Sequence, residues 1–185
     1  MFADSLSVAY SQTELVELMI PAYANFGGKI HGGILLSLMD KVAYACASKH
    51  AGAYCVTVTV DNVEFLSPVE VGDLVRFSAS VNYVGKTSLV VGIRVTAENI
   101  KTGEQRHTNT SYFTMVAKDD EGKPTLVPRL IMETEEQVRR FLEAMKRRDF
   151  KREYIQLFRN AKSEMNITQE IQKLSQERCV IAFRP

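Results

Sequence analysis

Apolar residues along this chain keep one period, exchange it for another, and later return to the first. Between residues 34 and 49 no breaker interrupts a run in which Leu35, Leu36, Leu38, Met39, Val42, Ala43, Ala45, Cys46 and Ala47 surround the axis. That pattern predicts a central helix buried nearly all round, with Gly52 as its C-terminal cap. From residue 54 the period drops to two. Val56-Thr57-Val58-Thr59-Val60 alternates with β-branched residues, which predicts a strand over 54–65 ended by Ser67-Pro68. Further strands are predicted over 74–84, 89–98 and 106–117, parted by turns at Gly85-Lys86 and Lys101-Thr102-Gly103-Glu104. In the first of these, Val75, Phe77, Ala79, Val81 and Tyr83 fall on one face. An opening edge strand over 15–20 is stopped by Pro21. From residue 133 the helical period returns in Val138, Phe141, Leu142 and Met145, with Ile155 and Phe158 continuing it past a break near Asp149.

One buried helix followed by antiparallel strands is an α+β layout in which the sheet wraps the helix. It occupies residues 1–131, and residues 132–185 form a C-terminal helical extension and tail. Residues 160–185 suggest no role. The 185 residues, 45% of them apolar, suit one domain and an appendage. No internal repeat is visible.

A net charge of +1, from 23 basic and 22 acidic residues, supplies no general attraction to nucleic acid or an anionic membrane, so neither is expected as a partner. Cys46, Cys55 and Cys179 are odd in number and lack C-x-x-C spacing, which favours a reducing compartment. No basic segment leads into an apolar one at the N-terminus, and no apolar run approaches a membrane span of roughly 18 residues. A soluble, cytoplasmic protein is expected. His31, His50 and His107 show no ligand spacing, so no metal is expected either. The Gly-rich stretch lacks the Lys-Ser/Thr ending of a nucleotide loop, no G-x-S-x-G elbow exists, and Asn166-Ile167-Thr168 is a sequon by letter only.

Candidate chemistry gathers at the start of the central helix. Asp40 stands alone among apolar neighbours, where a carboxylate costs several kcal/mol unless paired, hydrogen-bonded or protonated. We take the reason for its presence to be catalysis, the alternative being a structural bridge or cap. Just upstream, Asn25-Phe26-Gly27-Gly28-Lys29-Ile30-His31-Gly32-Gly33 carries four glycines, which permit positive φ and close approach. Backbone N–H groups of Gly32 and Gly33 at a helix N-terminus can polarise a carbonyl and stabilise an oxyanion. Asn25 reads first as a turn residue. His31 reads as a base or as a structural hydrogen-bonder, and Gly85-Lys86-Thr87-Ser88 as a hairpin turn.

Together with Met39-Asp40, Val58-x-Val60-Asp61, Phe65-x-x-Pro68-Val69-x-x-Gly72-Asp73 and Val84-Gly85-Lys86-Thr87-Ser88, these residues keep order and spacing over roughly residues 10–130. They resemble the hotdog-fold acyl-CoA thioesterases, in particular the short-chain bacterial hydrolases of the YciA type and the brain and cytosolic acyl-CoA hydrolases. The resemblance implies hydrolysis of acyl-CoA to fatty acid and coenzyme A, with Asp40 as general base or as nucleophile through an anhydride. It also implies that Asn25 reaches the site across a dimer interface, and that Gly85, Lys86, Thr87 and Ser88 lie along coenzyme A. No cofactor is implied, since the coenzyme A thioester is the substrate. Without a repeat in the chain, the second copy must come from another subunit, in a homo-oligomer with a dimer as minimal unit and a trimer of dimers as assembly. Seven basic residues within 139–152 read as a solvated helix face, or, given the resemblance, as an anion site for the coenzyme's phosphates. Two other functions compete. A hotdog hydratase or dehydratase would use His31, which here lacks the expected H-F-P context. A non-catalytic acyl-CoA-binding regulator, with 139–152 on nucleic acid, would not need both Asn25 and Asp40, and no N-terminal DNA-binding domain is evident.

Overall fold

The structure, a computed structural model, describes residues 4–183. The chain divides into two compact units, Met1–Ala144 and Met145–Pro185.

In the first unit, β2 (Thr13–Leu18), β3 (Tyr54–Val60), β4 (Asp73–Val84), β5 (Ser88–Asn99) and β6 (Gln105–Lys118) form one antiparallel sheet in the order β2-β4-β5-β6-β3. Helix α2 (Gly32–Ala51) packs on it, touching every strand from β2 to β6. Leu35, Leu38, Met39, Val42 and Cys46 on the helix meet Val75, Phe77, Val91, Ile93, Phe113 and Met115 of the strands in a single core. Each large apolar side chain so buried contributes roughly 1.5–3 kcal/mol. Gly52 caps the helix as predicted, at φ 62°, donating its N–H to the Ser48 carbonyl.

Four departures from the sequence reading matter. Helix α2 is buried on one side only, because Leu36, Ser37, Asp40, Lys41 and Tyr44 all face outward. Strand β3 ends at Val60 instead of 65: Asp61 N–H donates to Tyr112 O and Leu66 N–H to Thr108 O, so the stretch between them spans one residue more than its β6 counterpart and loses register. Tyr83 does not share the face of Val81. The ladder shifts between Val81 and Tyr83, which turns the Tyr83 ring to the other side, where it meets Phe141 at 4.9 Å. Helix α3 (Glu135–Glu164) runs through Asp149 without a break, since no Gly or Pro interrupts it.

The opening edge strand lies at Thr13–Leu18, two residues earlier than its pattern suggested. Ahead of it sit β1 (Ser5–Ser7) and α1 (Val8–Ser11), and β1 pairs in parallel with β7 (Arg129–Ile131). The first turns of α3 belong with the sheet, Ala144 being buried there. The second unit contains the rest of α3, the short α4 (Ile167–Glu170) and a 3-10 segment at Ile171–Gln176. Cys46, Cys55 and Cys179 are free. Among the described residues no helix is long and apolar enough to cross a membrane.

Candidate active site

Asp40 sits on the outward face of α2, beside the edge strand β3. The Thr57 hydroxyl donates to its Oδ1 at 2.6 Å and also lies 3.2 Å from Met115 Sδ. A hydrogen bond to a charged acceptor is the stronger kind, so this one orients the carboxylate and leaves Oδ2 uncommitted to Thr57. The carboxylate is exposed, so the cost of burial that first drew attention to it does not arise within one chain. Replacing it by a neutral side chain therefore cannot be expected to stabilise the fold on that ground.

A cavity of about 330 Å³ opens beside Asp40, lined also by Tyr44, Tyr54, Cys55, Thr57 and Met115. Burial raises the Cys55 thiol above its ordinary range and pushes that of Cys46 up to about 12, so neither is a thiolate nucleophile. Asn25 is not among the lining residues. It lies in the tight loop before α2, where its Oδ1 accepts from Gly27 N–H at 2.9 Å and Lys29 N–H at 3.2 Å. Those bonds engage the acceptor end of the amide. Of the loop's four glycines only Gly28 has a positive φ, 77°.

His31 caps α2: its Nδ1 accepts the Gly33 N–H at 2.9 Å, while its own N–H donates to Tyr23 O. This ring nitrogen is engaged in the helix cap. The bond also explains Gly33, since a Cβ there would lie 2.9 Å from the imidazole. The Gly33 amide is thus taken by the cap, which narrows the helix-end donors to Gly32.

The turn Gly85–Ser88 joins β4 to β5, with Gly85 N–H donating to Ser88 O at 2.7 Å. Its carbonyls are tied back to the fold, Thr87 O accepting from Ala117 N–H and Lys86 O from Val127 N–H. Ladder register places Thr57, Met115 and Leu89 in one row across β3, β6 and β5. The turn therefore lies two strands from Thr57, about 10 Å away in the sheet.

In the basic segment at least three of the seven cations pair with carboxylates on the exposed helix surface: Arg139 with Glu136 and Glu143, Arg140 with Glu136, and Arg148 with Asp149. The two arginines hold the Glu136 carboxyl down to about 2. No cluster of three or more His, Cys, Asp or Glu side chains that could hold a metal occurs among the described residues.

Sequence reasoning missed Thr57, Tyr44 and Tyr54. A trace of Thr57 was present in the Val-Thr alternation, but the ladder shift between Thr57 and Thr59, which pairs them with the adjacent residues Met115 and Thr114, sends the two hydroxyls to opposite faces and is not written in that pattern.

One long helix wrapped by a curled antiparallel sheet is the hotdog fold, and residues 27–104 match the thioesterase superfamily. Protein VdlD of Helicobacter pylori is 49% identical over 134 residues, 72% of this chain and 76% of the relative. A crystal structure of an apo-hexameric acyl-CoA thioesterase, 37% identical, superposes with a TM-score of 0.79 over 82% of this chain and 97% of its own. The acyl-CoA hydrolase of Staphylococcus aureus, solved with butyryl coenzyme A, coenzyme A and coenzyme A disulfide, is 30% identical with a TM-score of 0.75, over 93% of this chain and 99% of that one. Structures of that enzyme also exist with an aspartate, a threonine or an asparagine replaced by alanine. This chain belongs to the thioesterase superfamily, among the hotdog acyl-CoA hydrolases.

Proposed function

We propose that the protein hydrolyses acyl-CoA thioesters to free fatty acid and coenzyme A, using Asp40 and Thr57 of one subunit and Asn25 of another. The observation that carries this reading is the Asp40–Thr57 hydrogen bond. It is supported by spacing: fifteen residues separate Asn25 from Asp40 and seventeen separate Asp40 from Thr57, the same intervals as the three residues replaced by alanine in the S. aureus enzyme.

In this mechanism Thr57 holds Oδ1 of Asp40, and Oδ2 either takes a proton from water as it attacks the thioester carbonyl or attacks that carbonyl itself. In the first route the acyl carbon gains the water oxygen, the acyl–sulfur bond breaks, and the thiol leaves with the proton that Asp40 took from the water; in the second the acyl carbon first gains Oδ2 as the thiolate leaves, and water then cleaves the anhydride, giving the acid, the Asp40 carboxylate and a proton for the thiolate. The Gly32 N–H of the subunit that supplies Asn25, at the positive end of that subunit's α2, faces the developing negative charge on the carbonyl oxygen, because eight residues of helix, about 12 Å, separate Gly32 from Asp40 within one chain. Asn25 supplies the amide donor of the loop, and Lys86, Thr87 and Ser88 lie along coenzyme A. His31 serves by holding the helix end in shape.

Assembly follows from the surface. Strand β3 is a sheet edge, and Tyr54, Val58 and Val60 on it are exposed, as are Leu36 and Tyr44 of α2 and Phe26 of the Gly-rich loop. An open edge beside an apolar patch fits a second copy related by a two-fold axis. Three such dimers would make the hexamer that its structural relatives form.

Thiol release from a panel of acyl-CoAs tests the activity; binding without release would favour the non-catalytic regulator. Mixing tests the shared site. Asn25→Ala and Asp40→Ala homodimers should each be inactive, but a mixed dimer collects both lesions in one site and leaves the other intact. Random mixing of equal amounts then restores about a quarter of all sites. No recovery despite proven subunit exchange would put both residues in one subunit's site.

A further inference from the structure

The cavity beside Asp40 has a feature that hydrolysis alone does not require. Tyr44 lies four residues after Asp40, on the same side of α2, and Tyr54 opens β3. Their rings meet at 5.9 Å between centroids, inclined at 58°, and both remain exposed in the single chain, by 43% and 59%. The cavity is lined also by Cys55 and Met115, both residues buried. Apart from Asp40, Lys41 and Thr57, its side chains are apolar or aromatic. A thioester whose carbonyl lies within reach of Asp40 must send its acyl chain somewhere, and this is the apolar space contiguous with that carboxylate.

We propose that this cavity receives the acyl chain and that the Tyr44–Tyr54 pair is its end wall, setting a ceiling on chain length. The proposal rests on the acyl-CoA hydrolase reading and names the residues that set its chain-length selectivity. Two aromatic rings in tilted contact form a stiff wall, because each has few rotatable bonds and each limits the other's movement.

The test is kcat/KM for straight saturated acyl-CoAs from acetyl to palmitoyl, read by thiol release, with wild type, Tyr44→Ala, Tyr54→Ala and Tyr44→Trp. In wild type each added methylene should raise kcat/KM about fourfold until the wall is met, after which it falls. Both alanine variants should move that maximum outward by at least two carbons, raising the ratio of dodecanoyl to butyryl kcat/KM by roughly tenfold or more. The bulkier Tyr44→Trp should move it inward, and that variant decides the question if an alanine variant fails to assemble. A common factor at all chain lengths, or a maximum that stays in place in Tyr44→Trp, overturns the assignment. These outcomes leave the hydrolase reading standing, whereas absence of turnover by wild type at every chain length removes that reading and this proposal with it.

Discussion

Asp40 and Asp73 are carboxylates of the same fold in opposite circumstances. Asp73, at the start of β4, is 2% exposed; its Oδ2 accepts from Arg106 Nη2 at 2.6 Å and from Glu70 N–H at 2.9 Å, closing the turn that leads into the strand. Asp40 is open to solvent and has a neutral hydroxyl as its recorded partner. A buried carboxylate with a cation and a backbone donor is neutralised and immobile, whereas one held at a single oxygen keeps an oxygen for chemistry. From sequence the costly buried carboxylate was expected at Asp40. It is at Asp73, and the difference separates a carboxylate tied into the fold from one left open to solvent.

The contrast is open to direct attack. Asp40→Asn should lower kcat by about 10²- to 10⁴-fold, the range for loss of a general base, with urea unfolding shifted by no more than about 0.5 kcal/mol. A folded variant with near-normal thiol release would remove Asp40 from the chemistry. Asp73→Ala should do the reverse: about 3–5 kcal/mol of stability lost on urea titration, because Arg106 is left without its partner. A loss under about 1 kcal/mol would mean that the pair behaves as an ordinary surface bridge.

Thr57→Val keeps the strand's shape and removes the hydroxyl. A hydrogen bond to a charged group is worth about 1.5–3 kcal/mol, so kcat/KM should fall roughly tenfold to a hundredfold with stability little changed. Unaltered kinetics would reduce Thr57 to packing.

The smallest effect is expected at His50, near the end of α2, whose Nε2 lies 3.2 Å from Pro128 O in the segment leading to β7. Burial lowers its pKa below 6.5, so the folded state favours the neutral ring. That preference contributes stability fully above pH 6.5 and loses it as pH falls from 6.5 through the lower folded value. Melting temperature should therefore drop more steeply below pH 6.5 in wild type than in His50→Gln. Parallel curves would assign the acid sensitivity to other groups.

Helix α2 and the long strands were legible because a period of 3.6 or 2 in apolar residues is written locally, and Gly52 marked the helix end by the same local logic. Other features depend on counts taken between distant strands. The ladder shift that turns Tyr83 toward Phe141 and the loss of register after Val60 follow from how β4 meets β5 and how β6 meets the segment after β3. The parallel pairing of Ser5–Ser7 with Arg129–Ile131 joins three-residue pieces from opposite ends of the unit, too short to carry any periodic signal.

The site divides in the same way. Asn25, Asp40 and the glycines stood out because a polar residue in an apolar run and a Gly-rich loop before a helix are visible one residue at a time. That His31 takes the Gly33 amide, that Thr57 reaches Asp40, and that Tyr44 meets Tyr54 could not be read in this way, since side-chain hydrogen bonds and ring contacts act only over a few ångströms. By itself, the sequence determined the order of elements, the central helix and the family of residues from which the site is drawn. Only the tertiary structure decided that α2 is half exposed, which carboxylate is buried and which hydroxyl holds the other, because solvent exposure depends on what the rest of the chain covers.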